Sequence, residues 1–310
     1  MYGKDQVKID LKNRVAIVTG AGGGLGRAHA LLLAARGAKV LVNDLGAART
    51  GDGGSLTAAQ AVVEEICALG GEAIANGSSV TDFDQVEDMV AQAIDHWGHV
   101  DILVNNAGIL RDKTFAKVSL EDFKAVVDVH FWGSVHCTKA VWNRMRDRNY
   151  GRIVMTTSSS GLYGNFGQSA YGAAKLAVVG LMNTLHLEGE KYNIRVNALA
   201  PSAATRMTED IMSAQVLDML SPGSVSPGVL ALVSENAPSR MIMCAGAGSF
   251  EAAHITLTEG YFAGAGAEAA EHVAANLNRI TNRDAEMVPA NGMMQSQHEF
   301  QVLERSLARA

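Results

Sequence analysis

A short β-branched run at Val15–Thr19 (VAIVT) breaks directly into a glycine-rich turn, and this succession limits the fold more than any other feature of the chain. The turn reads TGAGGGLG over residues 19–26. A helical pattern follows at 25–36, and a second strand pattern lies at Lys39–Asn43. Strand, glycine turn, helix and strand within roughly 30 residues predict a βαβ unit, in which two parallel strands are joined by a helix packed across them.

The same alternation continues along the chain. Helical patterns lie at 56–69, 82–96, 120–149 and 171–191, and strand patterns lie at 72–75, 102–105, 152–157, 195–200 and 241–244. With 310 residues, 48% of them hydrophobic, the chain can bury one continuous core. We therefore predict an α/β fold over residues 1–250: a single Rossmann-type doubly wound parallel sheet flanked by helices, followed by a C-terminal extension at 251–310.

Charge and cysteine content exclude several classes of protein. The net charge is -6 and Lys and Arg do not cluster, which argues against binding to nucleic acid or to anionic membranes. Cys67, Cys137 and Cys244 are far apart and form no CxxC pair, so we predict neither a disulfide framework nor a metal site. No apolar run approaches the ~18 residues of a membrane span, and the last three residues are not an SKL-type signal. We expect a cytoplasmic protein.

The glycine turn predicts a dinucleotide site. Gly20 allows the tight turn, and backbone amides at the start of the helix, around Gly24 and Leu25, can face a pyrophosphate. Gly26 allows the helix and the strand to pack closely. The strand-to-helix context strengthens this interpretation, because a glycine loop elsewhere would be weak evidence.

Asp44 follows the second strand, 24 positions after Gly20. A carboxylate there accepts hydrogen bonds from an adenosine ribose and repels a 2′-phosphate, so we predict NAD rather than NADP as the cofactor. Alternatively, Asp44 merely begins a turn. Arg49, in the glycine-rich loop at 46–55, argues in the other direction, because an arginine in this loop could reach a 2′-phosphate.

Ser158, Tyr171 and Lys175 form a candidate proton-transfer site. Tyr171 and Lys175 are four residues apart and therefore share one face of a helix, and Ser158 lies 13 residues before Tyr171 at the end of a strand pattern. A free tyrosine titrates near pH ~10, so use as a base at neutral pH requires stabilisation of the phenolate by roughly 4 kcal/mol. We expect Lys175 to lower the pKa of Tyr171 and Ser158 to hold a substrate oxygen. On spacing alone, an accidental trio of common residues remains the alternative.

In a doubly wound sheet, the loops after the carboxyl ends of the strands form the ligand crevice. The glycine turn, the NNAG sequence at 105–108, Ser158 and Pro201 all fall at such ends. Apolar residues at helical spacing over 203–221 then either cover an apolar substrate or pack into the core.

These motifs together resemble the short-chain dehydrogenase/reductase family. TGAGGGLG, NNAG, a serine 13 residues before YGAAK, and Pro201 occur in the family's order over residues 10–250. The resemblance implies that Ser158, Tyr171 and Lys175 are catalytic. It also implies cofactor contacts from the glycine turn, Asp44, Val80, Asn106, Ala107, Gly108, Tyr171 and Lys175.

A narrower resemblance rests on NDLG at 43–46, NNAGILRD at 105–112 and YGNFGQSAYGAAK at 163–175. These segments are similar to the (3R)-hydroxyacyl-CoA dehydrogenase branch of the family, found in peroxisomal multifunctional β-oxidation enzymes and bacterial relatives. This implies NAD-dependent interconversion of a 3-hydroxyacyl-CoA and a 3-ketoacyl-CoA by a homodimer or homotetramer. A dehydrogenase for a steroid or another bulky alcohol is the first alternative, and an NAD-binding sensor without catalysis is the second.

Two positions depart from the wider family. His130 stands where the family usually has an asparagine that helps to relay protons, so that either the histidine replaces it or it is an ordinary core residue. Ser79 stands where an aspartate commonly contacts the adenine, so only the backbone contact of Val80 carries over. In the extension we expect a strand pair or an edge extension of the sheet at 254–262, a helix at 268–280 and, from Thr281 onward, a polar end that packs on a neighbouring subunit.

Overall fold

The computed structural model describes residues 8–46, 50–51, 53, 55–203 and 220–308. The chain divides into two compact units, Met1–Ala252 and Ala253–Ala310. The predictions for Arg49 and for nearly all of the apolar segment at 203–221 lie outside the described residues.

An eight-stranded sheet forms the centre of the first unit, in the order β3-β2-β1-β4-β5-β6-β7-β8. Strands β1 to β7 pair in parallel. The strands are β1 Val15–Thr19, β2 Lys39–Asn43, β3 Glu72–Asn76, β4 Ile102–Asn105, β5 Gly151–Thr156, β6 Ile194–Ser202, β7 Ile242–Gly246 and β8 Ser249–Ala253. The strand order reverses between β1 and β4, which is where a doubly wound sheet opens its ligand crevice. The predicted fold class is confirmed.

Apolar composition explains why the central strands lie inside. Every residue of β1, β4 and β5 is buried, as expected for parallel strands covered by helices on both faces. The sequence did not predict β8. It follows β7 through a two-residue turn in which Ala247 and Gly248 both have positive φ, at 51° and 78°, the conformation of a type I′ hairpin turn.

Helices flank this sheet. They are α1 Gly24–Ala35, α2 Thr57–Ala68, α3 Phe83–Trp97, α4 Leu120–Val127, α5 Gly133–Asp147, α6 Ser159–Tyr163, α7 Ser169–Gly189 and α8 Ser226–Leu232, with short 3-10 turns at Glu190–Tyr192 and Pro222–Ser224. Among the helices that the structure describes, none has the length and apolar character needed to cross a bilayer.

The predicted continuous helix at 120–149 is wrong in one respect. A π-helical segment, Asp128–Trp132, separates α4 from α5. A π turn holds one residue more than an α turn, and here it carries His130, which is 2% exposed. The hydrophobic periodicity on either side continues through the segment, so the sequence pattern does not reveal the extra residue.

The second unit contains three helices, α9 Ala269–Ala275, α10 Leu277–Ile280 and α11 Met293–Leu307. The predicted strand pair at 254–262 is wrong, because this segment makes one isolated bridge, between Leu257 and Met287. The predicted helix at 268–280 is divided in two. The sequence did not predict α11, because its polar residues read as an irregular end although most of them favour helix. No residue of 253–308 is buried.

Candidate active site

The glycine turn brings the start of α1 to the crevice. Gly20 and Gly24 have φ values of +62° and +52°, which favour glycine. A side chain at Gly26 would place its Cβ 2.2 Å from the carbonyl oxygen of Gly20 and 2.5 Å from Nδ2 of Asn106. The residue before α1 is Gly23, which has no side chain to cap the helix. The N–H groups of the first turn of α1 are therefore available to bind an anionic ligand.

Asp44 lies beside this turn, directly after β2. Its Oδ2 accepts a hydrogen bond from the Gly22 N–H at 2.7 Å, and its Oδ1 accepts one from the Gly46 N–H at 2.7 Å. A carboxylate can accept about four hydrogen bonds in all, so Asp44 retains the capacity to accept from ribose hydroxyls. These contacts fix the carboxylate at the edge of the glycine turn.

The NNAG segment ties β4 to β1. Asn106 Nδ2 donates to the carbonyl oxygens of Thr19, at 2.9 Å, and Gly20, at 3.0 Å. The Thr19 hydroxyl oxygen accepts from the N–H groups of Asn106 and Ala107 at 3.0 and 3.1 Å. The amide therefore joins neighbouring strand ends. The direct contact of Asn106 and Ala107 with a cofactor stays a prediction.

Gly108 makes room for a histidine ring. A Cβ at this position would lie 2.3 Å from Cε1 of His130. His130 Nε2 lies 2.8 Å from the carbonyl oxygen and 3.2 Å from the amide nitrogen of Ile109. Its Nδ1 is buried without a hydrogen-bond partner among the described residues. The imidazole of His130 therefore occupies the space that a side chain at Gly108 would need.

The structure brings Ser158, Tyr171 and Lys175 together. Ser158 follows β5 and begins α6, where its Oγ accepts from the Ser160 N–H at 3.2 Å. Tyr171 lies in the first turn of α7, with the Ser158 side chain near enough to lower its pKa. One turn further, Lys175 Nζ donates to the carbonyl oxygen of Thr156 at 2.6 Å and lies 5.6 Å from the centroid of the Tyr171 ring. The His130 ring packs edge-on against Tyr171, with centroids 5.1 Å apart.

The electrostatics of this group differ from the sequence-based expectation. Burial raises the pKa of Tyr171, Asp112 raises it further, and the hydrogen bond from Ser158 lowers it less than the two together raise it. Burial also lowers the pKa of Lys175 to about 7, so near neutral pH the amine is charged only part of the time. The pKa of Tyr171 is thus raised, and Lys175 is not among the groups that lower it, contrary to the expectation. The pKa of His130 is well below its ordinary value, because of burial and the nearby Lys175.

A crevice of about 390 Å³ connects these elements. All the predicted cofactor residues line it: Gly20, Gly24, Leu25, Gly26, Asp44, Val80, Asn106, Ala107, Gly108, Tyr171 and Lys175. His130, Thr156 and Pro201 line it as well. Ser158 is 8% exposed and does not line the crevice itself, but it lies near Tyr171, whose pKa it lowers.

The sequence did not single out Thr19, whose hydroxyl supports the NNAG turn, or Asp112 and Gln168, which share a hydrogen bond close to Tyr171. Asp112 and Gln168 both lie inside segments that resemble the narrower branch, NNAGILRD and YGNFGQSAYGAAK. Their presence in these two segments is the one sequence feature that could have indicated a contact between Asp112 and Gln168.

The chain is similar to several known proteins. The chain is 54% identical to a short-chain type dehydrogenase/reductase of Mycobacterium tuberculosis over 225 residues, which cover 73% of this chain and 79% of that protein. It is 51% identical to peroxisomal multifunctional enzyme A of Dictyostelium discoideum over 74% of this chain and 51% of that protein. The solved structure of full-length peroxisomal multifunctional enzyme type 2 from Drosophila melanogaster is similar with a TM-score of 0.80 and 36% identity, over 96% of this chain and 50% of that one.

The present chain thus spans about half the length of these two multifunctional proteins. The family described as short chain dehydrogenase matches residues 14–216. This match covers β1 to β6 and includes the glycine turn, the NNAG segment, Ser158, Tyr171 and Lys175. On fold, crevice and sequence match, the chain belongs to the short-chain dehydrogenase family.

Proposed function

We propose that this dehydrogenase interconverts a secondary alcohol and a ketone with NAD as its cofactor, and that its substrates are a 3-hydroxyacyl-CoA and the corresponding 3-ketoacyl-CoA. The observation that carries the proposal is that Tyr171 and Lys175, with Ser158 close to the tyrosine, lie at the crevice that the glycine turn and Asp44 also line. The reaction requires a proton-transfer group next to a dinucleotide site, and residues of this crevice are candidates for both.

The residues of the crevice fit a dinucleotide. The glycine turn and the start of α1 would hold the pyrophosphate, because backbone N–H groups are available there without a side-chain cap. Asp44 would accept the adenosine ribose hydroxyls and repel a 2′-phosphate, which favours NAD over NADP. Lys175 would hold the nicotinamide ribose. When bound, a nicotinamide supplies the hydride acceptor or donor of the reaction.

The proton is handled by Tyr171. In alcohol oxidation its phenolate oxygen takes the proton from the substrate hydroxyl, while the Ser158 hydroxyl donates a hydrogen bond to the carbinol oxygen. In ketone reduction the phenol returns the proton. Because burial raises the pKa of Tyr171, the side chain is a phenol at neutral pH, the form that reduction requires. Oxidation requires the phenolate, so its rate should rise with pH.

His130 is the proposed end of the relay behind Tyr171. Its Nδ1 is buried without a partner among the described residues, and its ring lies against Tyr171. A buried nitrogen of this kind can bind an ordered water and connect it to the active site. The low pKa of His130 keeps the ring neutral, so that it can both donate and accept hydrogen bonds.

The proposed substrate class is supported by the narrower sequence resemblance and by the sequence identity of 51% with a peroxisomal multifunctional enzyme. A steroid or another bulky alcohol is the second candidate class. The segment at 203–221, which we expect to cover the substrate, lies outside the described residues.

The test uses the purified full chain with NAD or NADP and a panel of secondary alcohols that includes 3-hydroxyacyl-CoA thioesters. Tyr171→Phe should bind NAD as the wild type does and lose turnover by about a thousandfold or more. Full activity of this variant would overturn the assignment of Tyr171. If the wild type turns over steroids but not acyl-CoA thioesters, the second substrate class is correct. If the wild type binds NAD but turns over no alcohol of the panel, a sensor is favoured.

We propose that the protein is a homodimer or homotetramer and that it is located in the cytoplasm. A unit of more than fifty residues with none of them buried lacks a core of its own, which supports the proposal that 251–310 packs on a second copy of the chain. Light scattering on the full chain tests this, and a monomer at micromolar concentration would contradict it.

A further inference from the structure

We propose that Asp112 and Gln168 form a positioning pair that aligns the loop carrying Ser158 with the start of the helix carrying Tyr171. This inference rests on the proposed function of Ser158 and Tyr171 and adds two residues to it. Neither member of the pair lines the crevice, so the pair acts through the groups that it holds.

The Gln168 side chain is the centre of the arrangement. Its Nε2 donates to Oδ2 of Asp112 at 2.6 Å. Its Oε1 accepts from the Ser160 hydroxyl at 2.6 Å and from Asn165 Nδ2 at 3.3 Å. The backbone of Gln168 also forms an isolated parallel bridge with Lys113. One amide therefore connects the segment after β4, the loop after α6 and the start of α7.

These bonds lead directly to the reacting groups. Gln168 is the residue before α7, and its carbonyl oxygen accepts from the Gly172 N–H at 2.7 Å, which begins the helix that carries Tyr171. On the other side, Ser160 is 7% exposed and its N–H donates to Oγ of Ser158. A shift of Gln168 would consequently change the position of Ser158 relative to Tyr171.

The basic residues on either side of Asp112 form ion pairs with a different carboxylate. Arg111 and Lys113 both pair with Asp122, at 2.9 and 2.8 Å. These two ion pairs hold the flanking residues of the segment, while Asp112 faces Gln168. In a doubly wound sheet such a segment after β4 borders the ligand crevice, so the carboxylate is held close to the site without being part of its wall.

The Asp112 charge is also felt by Tyr171, whose pKa it raises in addition to burial. The other groups that face the phenol are Ser158, Lys175 on the same helix and His130 from the π-helical segment. Removal of the Asp112 charge should therefore move the pH at which oxidation becomes active to a lower value.

The experiment is an exchange of the pair in the full-length protein. Asp112→Asn removes the charge, and Gln168→Glu keeps an acceptor for Ser160 but sets two carboxylates against each other. The double variant Asp112→Asn/Gln168→Glu restores one donor and one acceptor with their places exchanged. We expect Gln168→Glu to lower kcat about tenfold, with little change in the KM for NAD, because misplacement of reacting groups affects the chemical step most. Asp112→Asn keeps an oxygen that accepts from Gln168 and should lower kcat less. We expect the double variant to recover kcat to within about threefold of the wild type.

The pH profile of kcat/KM separates alignment from simple loss of stability. It should move to lower pH in Asp112→Asn and return toward the wild-type position in the double variant, which carries the charge again. Glu121→Gln removes an exposed carboxylate from the first turn of α4 and should change neither kcat nor the profile.

Two results would overturn the inference: Gln168→Glu with full kcat, or a double variant no more active than Gln168→Glu. Failure of all three variants to fold, judged by thermal unfolding, would also count against it, because it would make the pair a purely structural contact. An active Tyr171→Phe would instead refute the proposed function itself, so the two failures are distinguishable.

Discussion

Replacement of Lys175 by methionine should stabilise the folded chain while destroying its activity. Lys175 is 3% exposed, and burial lowers its pKa from 10.5 to about 7. Between these two values the unfolded chain binds more protons than the folded chain, so folding must remove a proton or bury a charge. Lys175 therefore destabilises the fold at neutral pH, and this penalty fades as the pH rises toward 10.5.

The magnitude follows from the size of that difference. At about 1.4 kcal/mol for each tenfold change, the full penalty is about 5 kcal/mol, of which about 4 kcal/mol acts at pH 7 and about 2 kcal/mol at pH 9. Methionine removes the penalty but also removes the donor to the Thr156 carbonyl oxygen, at a cost of about 2 kcal/mol at any pH. Lys175→Met should thus gain about 2 kcal/mol at pH 7 and approximately nothing at pH 9.

Urea unfolding of the ligand-free chains at several pH values between neutrality and pH ~9 measures this difference. The change of about 2 kcal/mol between the two ends is the sharper quantity, because the cost of the lost hydrogen bond cancels from it. Lys139→Met, an exposed lysine on α5, is the matched control and should show no such change. Parallel stability curves for the wild type and Lys175→Met would refute the reasoning, since they would mean that the buried amine keeps an ordinary pKa.

Three further predictions concern other parts of the site and the core. Gly108→Ala should lower the free energy of unfolding by about 1–3 kcal/mol because its Cβ would lie 2.3 Å from Cε1 of His130; thermal unfolding measures this, and a second change, His130→Ala, should recover part of the loss. Asp44→Ala should reduce the preference for NAD over NADP at least about tenfold in kcat/KM, because the charge that repels a 2′-phosphate is removed; an unchanged ratio would show that Asp44 only orders its turn. Arg152→Met should lower the free energy of unfolding, measured in urea, by about 3 kcal/mol and leave the KM for NAD unchanged. The reason is that the fully buried guanidinium donates to backbone carbonyl oxygens that would lose their partner. Equal stability of the two proteins would contradict this account.

The sequence predicted the sheet and the crevice well because both depend on local patterns. Val15–Thr19, Lys39–Asn43 and Ile102–Asn105 read as apolar runs beside glycine or polar turns, and buried parallel strands require little else. Once these strands are parallel, the residues at their carboxyl ends must meet. The placement of Asp44 and Asn106 at one crevice followed from this rule alone.

Contacts between distant side chains could not be predicted in the same way. The hydrogen bond between Asp112 and Gln168 joins residues 56 positions apart, and no periodicity specifies such a pair. The direction of the pKa change at Tyr171 was missed for a related reason. A spacing of four residues shows that Lys175 is near the tyrosine, but it does not show how deeply both groups are buried or that the amine is held by the Thr156 carbonyl oxygen.

The π-helical turn at Asp128–Trp132 determines how this region of the chain tolerates insertions and deletions. Because a π turn contains one extra residue, deletion of a single residue would convert it to a regular α-helix. Each α-helical residue rotates the chain by about 100°, so the side chain now at His130 would leave the face that meets Gly108 and Tyr171. A one-residue gap in an alignment of this segment is therefore a change of helix face. Relatives that differ here in length cannot be compared at position 130 by residue type alone.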